Sequence, residues 1–231
     1  MTPTALLLTT LICGSGGSGP PVGYASAREA EAAIAPTLRT GSLLFSTGDC
    51  LAVRAFTGSP YTHVAIVVVD AEGATVYESI NPEGVRKLPL GEYLARQSTA
   101  PLQVQRPCRE FAPESAAKLV SYLESQLGRP YAVQHHLTGE RCQGLHCAEY
   151  CTDALMAIDL IRAERPARVS PASLCEGVMR HGIYAAGETF RLEPPPAPAS
   201  AGRNWCEQMW IDTKDCCGAC CRKLSGWFLC R

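Results

Sequence analysis

The sequence predicts an α+β domain, in which a sheet of short strands packs against helices, with a small cysteine-rich appendage at the C-terminus. Short apolar and β-branched runs separated by turn residues come first, over 42–105, and helical apolar stripes follow over 114–161. A proline-rich segment then precedes a tail in which cysteine is unusually dense. The chain has 231 residues, 46% of them hydrophobic, which is enough for one compact domain plus an appendage.

Residues 1–35 are interpreted as a candidate signal or anchor segment followed by a linker. Residues 5–13 form a short apolar run, but no basic side chain precedes it, as a secretory signal requires, and it is too short to span a bilayer. Residues 14–23 are rich in Gly, Ser and Pro, and 25–35 predict a short helix. A cleaved signal peptide and a disordered start remain equal alternatives.

Four short runs predict strands, because each is apolar or β-branched and lies between turn residues. They are 42–46, 63–69, 75–80 and 102–105. The segment Asp70-Ala71-Glu72-Gly73 is a natural hairpin connection, so the second and third strands are expected to pair. In that hairpin the beginning of the second strand lies beside the end of the third.

Helices are predicted after the strands. Residues 114–127 carry an apolar stripe at 3.6-residue spacing, and Gly128 follows where a C-cap is expected. Residues 148–161 carry a second stripe. Ser170 and Pro171 predict the start of a third helix, as its N-cap and its first helical residue.

The main domain is predicted over 36–192, followed by a proline-rich linker at 193–203 and the cysteine-rich tail at 204–231. The tail holds Cys206, Cys216, Cys217, Cys220, Cys221 and Cys230, out of 13 cysteines in the chain. This density predicts a small disulfide knot in an oxidising compartment, and a zinc knuckle or an acylated anchor in a reducing one. Disulfides are favoured, and we expect a secreted or cell-envelope protein, with a cytoplasmic location as the alternative.

The charge balance excludes one class of partner. The 21 basic and 22 acidic residues leave a formal net charge of −1. A chain this close to neutrality has no overall field to attract nucleic acid, so nucleic-acid binding is set aside.

Cys147 is the candidate nucleophile. It lies in Gly144-Leu145-His146-Cys147-Ala148, a loop that leads directly into the second predicted helix. The first turn of a helix offers unpaired N–H groups and the positive end of the dipole, and both favour thiolate, the form that attacks carbonyl carbon. The same N–H groups can hold an oxyanion. The alternative is that Cys147 is a small core residue.

His63 and Glu78 are the candidate base and orienting acid. His63 opens an apolar strand, where an imidazole needs a polar partner, and Glu78 lies in the neighbouring strand of the predicted hairpin. A carboxylate there could hold the imidazole tautomer and stabilise imidazolium. The alternatives are a structural histidine and a solvent-facing glutamate.

These residues stand in segments that resemble a known family. The segments are Leu43-Leu44-Phe45, Phe56-Thr57-Gly58-Ser59, Tyr61-Thr62-His63-Val64-Ala65-Ile66-Val67, Val76-Tyr77-Glu78 with Gly84-Val85, and Gly128-Arg129-Pro130-Tyr131 with Cys147-Ala148-Glu149-Tyr150. They resemble the circularly permuted NlpC-type papain-like cysteine hydrolases, in the YiiX/YebB-like branch, over about 40–180. In that branch the chain order is histidine, acid, cysteine, as it is in this sequence.

The resemblance implies a permuted papain-like fold with an antiparallel sheet packed against helices. It also implies that Cys147 is the nucleophile, His63 the base and Glu78 the orienting acid, with no metal or organic cofactor. The sequence departs from the family pattern at Ser42, Ala132 and Ala148, where relatives often have aspartate, aspartate and serine. None of these departures removes a member of the triad.

A metal site is the alternative hypothesis for the same region. His135, His136, Cys142, His146 and Cys147 offer five ligands of the kind that zinc accepts. Their spacing matches none of the compact zinc-ligand patterns, which is why we favour the hydrolase.

The sequence therefore predicts a thiol hydrolase, a peptidase or amidase, that cleaves an amide or peptide bond through a thioacyl-enzyme. Cell-wall peptides are the substrates that the resemblance implies. Two alternatives stay open: an acyl hydrolase or acyltransferase acting on lipids, and an inactive binding protein whose working part is the cysteine-rich tail. Partners are expected to be a peptide or acyl-lipid substrate, with association to a membrane or cell envelope left open.

Overall fold

The computed structural model describes residues 20–46, 61–97, 99–132, 141, 143–193 and 204–229, and within the last range only part of the side chains. The apolar run at 5–13, the motif at 56–59 and most of the proline-rich linker lie outside the described residues.

One mixed sheet organises the described residues. Its strands are Val22–Tyr24 (β1), Leu43–Ser46 (β2), His63–Asp70 (β3), Gly73–Ile80 (β4), Gly84–Pro89 (β5), Leu102–Pro107 (β6) and Tyr184–Leu192 (β7). They lie in the order β1-β7-β6-β2-β3-β4-β5. The β1–β7 pair is parallel and the other pairs are antiparallel. The predicted hairpin is confirmed, since Asp70 pairs with Gly73 and β3 with β4.

Helices cover both faces of the sheet. They are Ala27–Ile34 (α1), Leu90–Ala95 (α2), Pro113–Ser125 (α3), Cys147–Ala157 (α4), Pro171–Arg180 (α5) and Trp205–Leu229 (α6), with short 3-10 turns at Ala35–Thr37 and Pro166–Arg168. The predicted caps of the third helix are confirmed. Ser170 and Ser173 form a reciprocal capping box, and Pro171 is the first helical residue of α5.

Two hydrophobic cores lie on opposite faces of the sheet. Val64 and Ile66 of β3 face α3, α4 and α5, while Ala65 and Val67 face α1 and α2. Successive strand residues point to opposite faces, so a strand covered on both sides has no solvent-facing positions. This explains why 64–69 is apolar throughout rather than alternating, and burying each large aliphatic side chain contributes about 1.5–3 kcal/mol.

The sheet begins before the domain boundary predicted at residue 36. β1 pairs with β7, and α1 packs against α2 with Ala30 and Ile34 fully buried. The short helix predicted at 25–35 is therefore part of the core on that face. The sequence pattern does not reveal this strand, because β1 is only three residues long and its pairing partner lies at the far end of the domain.

The cysteine-rich tail forms an α-helix, α6, over Trp205–Leu229, and in the part of it whose side chains are described the predicted disulfide knot does not appear. Its described cysteines, Cys206, Cys216, Cys217 and Cys220, are free thiols. Adjacent residues in a helix project about 100° apart, which does not bring two thiols into disulfide geometry. No helix in the described part of the chain is both long enough and apolar enough to cross a membrane.

Candidate active site

The N-terminus of α4 presents Cys147. His146 is the N-cap, with extended backbone, and its Nδ1 accepts a hydrogen bond of 3.3 Å from the Glu149 N–H. The opposite ring nitrogen, Nε2, donates to the Ala167 carbonyl at 2.9 Å. These two contacts orient the imidazole of His146 and make Cys147 the first residue of the helix, as the sequence predicted.

The loop before α4 is attached to the backbone of 130–132. The Leu145 N–H donates to the Pro130 carbonyl at 3.0 Å, and the Ser79 hydroxyl donates to the Leu145 carbonyl at 2.7 Å. A Cβ at Gly144 would lie 2.7 Å from the Pro130 carbonyl oxygen, closer than real Cβ atoms approach. Glycine is therefore required at 144 to let this loop pass so near its neighbour, and the loop in turn places Cys147.

His63 and Glu78 meet across the β3–β4 hairpin. Ile66 pairs with Tyr77, and the same register continued to the beginning of β3 places Glu78 diagonally from His63 on one face. The His63 Nε2 lies 2.8 Å from Glu78 Oε2. The Glu78 side chain is 1% exposed and that of His63 is 17% exposed, so solvent weakens this hydrogen bond little.

The thiol of Cys147 completes the group. It lies close to the imidazoles of His63 and His146, and both interact with it electrostatically. Because Glu78 occupies Nε2 of His63, Nδ1 is the ring nitrogen left for Cys147. The structure thus brings together the three residues that the sequence selected, in the order thiol, imidazole, carboxylate.

The electrostatics of the three groups favour an ion pair. Burial alone would raise the pKa of Cys147, but hydrogen bonds and charge from His146 and His63 lower it to about 5. Burial alone would lower the pKa of His63, but Cys147 and Glu78 raise it to about 10. Burial would also raise the pKa of Glu78, and His63 and Arg86 lower it instead. Between the two values the stable form is thiolate and imidazolium.

Sequence reasoning missed Arg86, which donates to Glu78 from two nitrogens. It stands directly opposite Glu78 in the β4–β5 pair. The signal that could have found it is the segment Asn81-Pro82-Glu83-Gly84, a turn that would have extended the predicted hairpin by one more strand.

A second charged group lies along α4. Glu149 is fully buried, two residues after Cys147, and Asp153 is 8% exposed one turn later. Arg141 reaches both, at 2.5 Å from Asp153 Oδ1 and 3.5 Å from Glu149 Oε1. This arginine therefore joins the loop before the nucleophile to the helix after it.

The part of the chain that the structure covers contains no cluster of ligands of the kind that the metal hypothesis requires. There, no group of three or more His, Cys, Asp or Glu side chains is placed to hold a metal ion. His135, His136 and Cys142 lie outside the described residues, so their part of the hypothesis stays untested. His146 has both ring nitrogens engaged by backbone groups.

Comparison with known proteins identifies the family. The family described as permuted papain-like amidase enzyme, YaeF/YiiX, C92 family matches residues 37–164, more than half of the chain. The chain belongs to this family. It is therefore a cysteine hydrolase of the permuted papain-like amidases, and the resemblance stated from the sequence is confirmed. The predicted α+β fold class is confirmed with it.

Among solved structures, this permuted papain-like amidase is similar to the crystal structure of metalloprotein yiiX from Escherichia coli O157:H7. The identity is 21%, over 67% of this chain and 88% of that chain, with a TM-score of 0.47. No curated protein sequence matches the chain.

Proposed function

We propose that this permuted papain-like amidase hydrolyses amide or peptide bonds through a thioacyl-enzyme on Cys147. The observation that carries the proposal is the hydrogen bond of 2.8 Å between His63 Nε2 and Glu78 Oε2, beside a buried Cys147 thiol whose pKa the charge of His63 lowers. A nucleophile, a base and a group that orients the base are the parts that acyl transfer requires.

In the first step the Cys147 thiolate attacks the carbonyl carbon of the scissile amide, and the carbonyl oxygen becomes an oxyanion. As the first residue of α4, Cys147 has an N–H with no helical carbonyl four residues before it, and this N–H points toward the reacting end. It is the donor we assign to the oxyanion. The C–N bond then breaks as His63 gives its proton to the leaving amine.

In the second step water attacks the thioester. Neutral His63 takes a proton from the water, the C–S bond breaks, and the carboxylic acid leaves while thiolate and imidazolium form again. Glu78 accepts the Nε2–H of His63 throughout, so Nδ1 stays directed at the sulfur and the reacting groups. The cycle consumes one water and needs no other co-reactant.

The substrate class we propose is a cell-wall peptide. The family description as amidase supports an amide bond, and the resemblance of the sequence to NlpC-type enzymes supports peptides of the cell wall. An acyl-lipid substrate remains the alternative within the same chemistry, because a thioacyl-enzyme forms equally from an ester.

An extracytoplasmic location fits this substrate. Cys108 is disulfide-bonded. Disulfides persist in oxidising compartments and are rare in the cytosol. The location is therefore proposed as secreted or cell-envelope, and fractionation of cells expressing the tagged full chain tests it.

The test of function is the acyl-enzyme itself. The full-length protein is mixed separately with cell-wall peptides and with acyl-lipids, quenched in acid, and the mass added to the peptide that contains Cys147 is measured. A peptidyl adduct that forms in the unmodified protein, is absent in Cys147→Ser and is strongly reduced in a variant lacking His63 supports the proposal. A fatty-acyl adduct instead makes lipid the substrate class.

Cys175→Ser serves as the matched control, because Cys175 is a partly exposed thiol outside the site, held by Gln105 at 2.9 Å. It should form the same adduct as the unmodified protein. The proposal is contradicted if the folded protein forms no adduct with either substrate class and hydrolyses neither of them. The binding-protein alternative then stands.

A further inference from the structure

We propose that Arg86 is a positioning residue for the reaction, clamping one oxygen of Glu78 so that the other oxygen holds His63. The proposal rests on the proposed function and extends the catalytic group by one residue. It concerns a side chain that acts through Glu78 and does not touch the substrate.

The geometry divides the Glu78 carboxylate between two partners. Arg86 donates to Oε1 from Nε at 2.9 Å and from Nη2 at 2.7 Å. His63 takes Oε2 at 2.8 Å. A guanidinium that places two N–H groups on one oxygen fixes the rotation of the carboxylate, because turning it would break both bonds at once. Oε2 is thereby held where it can accept the hydrogen bond from His63 Nε2.

Burial makes the second cation necessary. The Glu78 side chain is 1% exposed, and a buried carboxylate without compensation tends to become protonated. His63 compensates it only while it carries a proton, and in the proposed cycle His63 gives that proton to the leaving amine. A guanidinium does not lose its proton in proteins, so the charge of Arg86 keeps Glu78 ionised during the part of the cycle in which His63 is neutral.

The fold fixes Arg86 in relation to the nucleophile. Its neighbour Val85 accepts from the Gly128 N–H at 2.9 Å and donates to the Arg129 carbonyl at 2.8 Å. A Cβ at Gly84, where φ is +79°, would lie 2.2 Å from that carbonyl, so the contact depends on glycine. The segment from Arg129 continues to Pro130, which carries the loop of Cys147. The strand of Arg86 and the loop of Cys147 are therefore both hydrogen-bonded to the backbone of residues 128–130.

Other ionisable groups near Glu78 do not supply this charge. Tyr93 of α2 and Cys151 of α4 are buried, and burial raises the pKa of both, which keeps them neutral. Cys147 of α4 is anionic in the ion pair, and Glu83 carries a negative charge 3.5 Å from Arg86. Arg86 and protonated His63 are the cations that the structure places in contact with Glu78.

The experiment follows the ionisation of Cys147 in folded variants of the full chain. The rate of iodoacetamide alkylation at Cys147 is measured from pH 4 to 9 by mass spectrometry of its peptide, and kcat and KM are measured on the substrate identified above. In Arg86→Gln, Glu78 becomes easier to protonate, His63 loses its anionic partner, and the alkylation midpoint should move up by about one pH unit or more. The value of kcat should fall about 10- to 100-fold with KM unchanged.

Arg86→Lys separates charge from geometry, since lysine keeps the charge and loses the fork. Its alkylation midpoint should stay near that of the unmodified protein while kcat falls by a smaller factor. The matched control is Lys87→Gln, the next residue of β5, which pairs with Glu124 on the opposite face. It should change neither quantity.

A folded Arg86→Gln protein with the original midpoint and the original kcat overturns the proposal. If that variant does not fold, Arg86→Lys decides, and an unchanged kcat there overturns it. These outcomes differ from a failure of the proposed function, in which the unmodified protein itself would show no alkylation of Cys147 at low pH.

Discussion

Cys147 and Cys151 lie one turn apart in α4, and their chemistry is opposite. Both are buried, at 4% and 0% exposure, and burial raises the pKa of both thiols. At Cys147 the two imidazoles overcome that effect and the pKa falls below its ordinary value. At Cys151 the thiol donates to the Val64 carbonyl at 3.9 Å, and burial keeps its pKa well above the ordinary value.

The difference shows that the neighbouring imidazoles, and not the degree of burial, decide which thiol in this helix is reactive. Position contributes too, because Cys147 stands at the positive end of the helix dipole, whose influence is concentrated in the first turn. A cysteine at the same depth four residues later has its N–H engaged within the helix. One turn of helix is therefore enough to separate a nucleophile from a core residue.

The largest expected effect breaks the comparison directly. Replacing Cys147 by serine should lower hydrolysis by at least about 10³-fold, because the nucleophile is lost and only binding and the oxyanion donor remain. Replacing Cys151 by alanine should keep kcat/KM within about threefold. Turnover of both proteins is measured on the same substrate, with circular dichroism to show that each is folded. Equal losses in the two variants would refute the distinction.

Much of this site could be predicted from the sequence, because its signals are local. His63 opens an apolar strand, the turn at 70–73 marks a hairpin, and that hairpin alone puts Glu78 near His63. Cys147 follows a glycine-containing loop and precedes a helical stripe, so its place at the start of α4 was also readable. Each of these inferences needs only neighbouring residues and one turn.

The rest depends on contacts between distant segments. β7 contains small residues and a glycine, which do not favour a strand by themselves. It becomes a strand by pairing with β6, which lies about 80 residues earlier in the chain. Arg86 acquires its role from the register of β4 with β5. His146 caps α4 and binds Ala167, a residue of a later turn. Neither propensity nor periodicity contains such pairings.

The two imidazoles beside Cys147 sharpen the comparison at the next level of effect. His63→Ala should lower kcat/KM by about 10²- to 10⁴-fold, since the group that transfers the proton is removed. His146→Asn should lower it less than about tenfold, because asparagine can keep the N-cap and because His63 still transfers the proton. Steady-state kinetics on both variants provides the measurement. A larger loss in His146→Asn would mean that His146 is the base.

The pH dependence of hydrolysis should be bell-shaped. The pKa of Cys147 is lowered to about 5, so activity is lost as pH falls through that value and thiolate is protonated. The pKa of His63 is raised to about 10, so activity is lost as pH rises through that value and imidazolium gives up its proton. An acid limb near the ordinary thiol pKa of about 8.5 would contradict the ion pair.

Alkylation compares the two cysteines without a substrate. At pH 6 Cys147 is largely thiolate, whereas Cys151 is almost entirely thiol. A low-pKa thiolate is intrinsically less nucleophilic, with a Brønsted coefficient of about 0.4–0.5, which cancels part of this advantage. The remaining preference should be about 10- to 100-fold in favour of Cys147, read from the masses of the two alkylated peptides. Equal labelling would show that exposure alone governs reactivity.

The smallest expected effect is on stability, and its pH dependence should differ between the two sites. Cys151→Ala removes a buried sulfur and leaves a small void, which should cost about 1 kcal/mol of unfolding free energy whatever the pH. At Cys147 the pKa of the thiol is lowered to about 5 in the folded protein, so the thiolate stabilises the fold at neutral pH, and this contribution is lost as pH falls through that value. Cys147→Ala should therefore lower the unfolding free energy at neutral pH and lower it less in acid. Urea titrations of both variants at the two pH values measure the changes. A loss at Cys147 that does not depend on pH would mean that this thiol is held for packing, as its neighbour is.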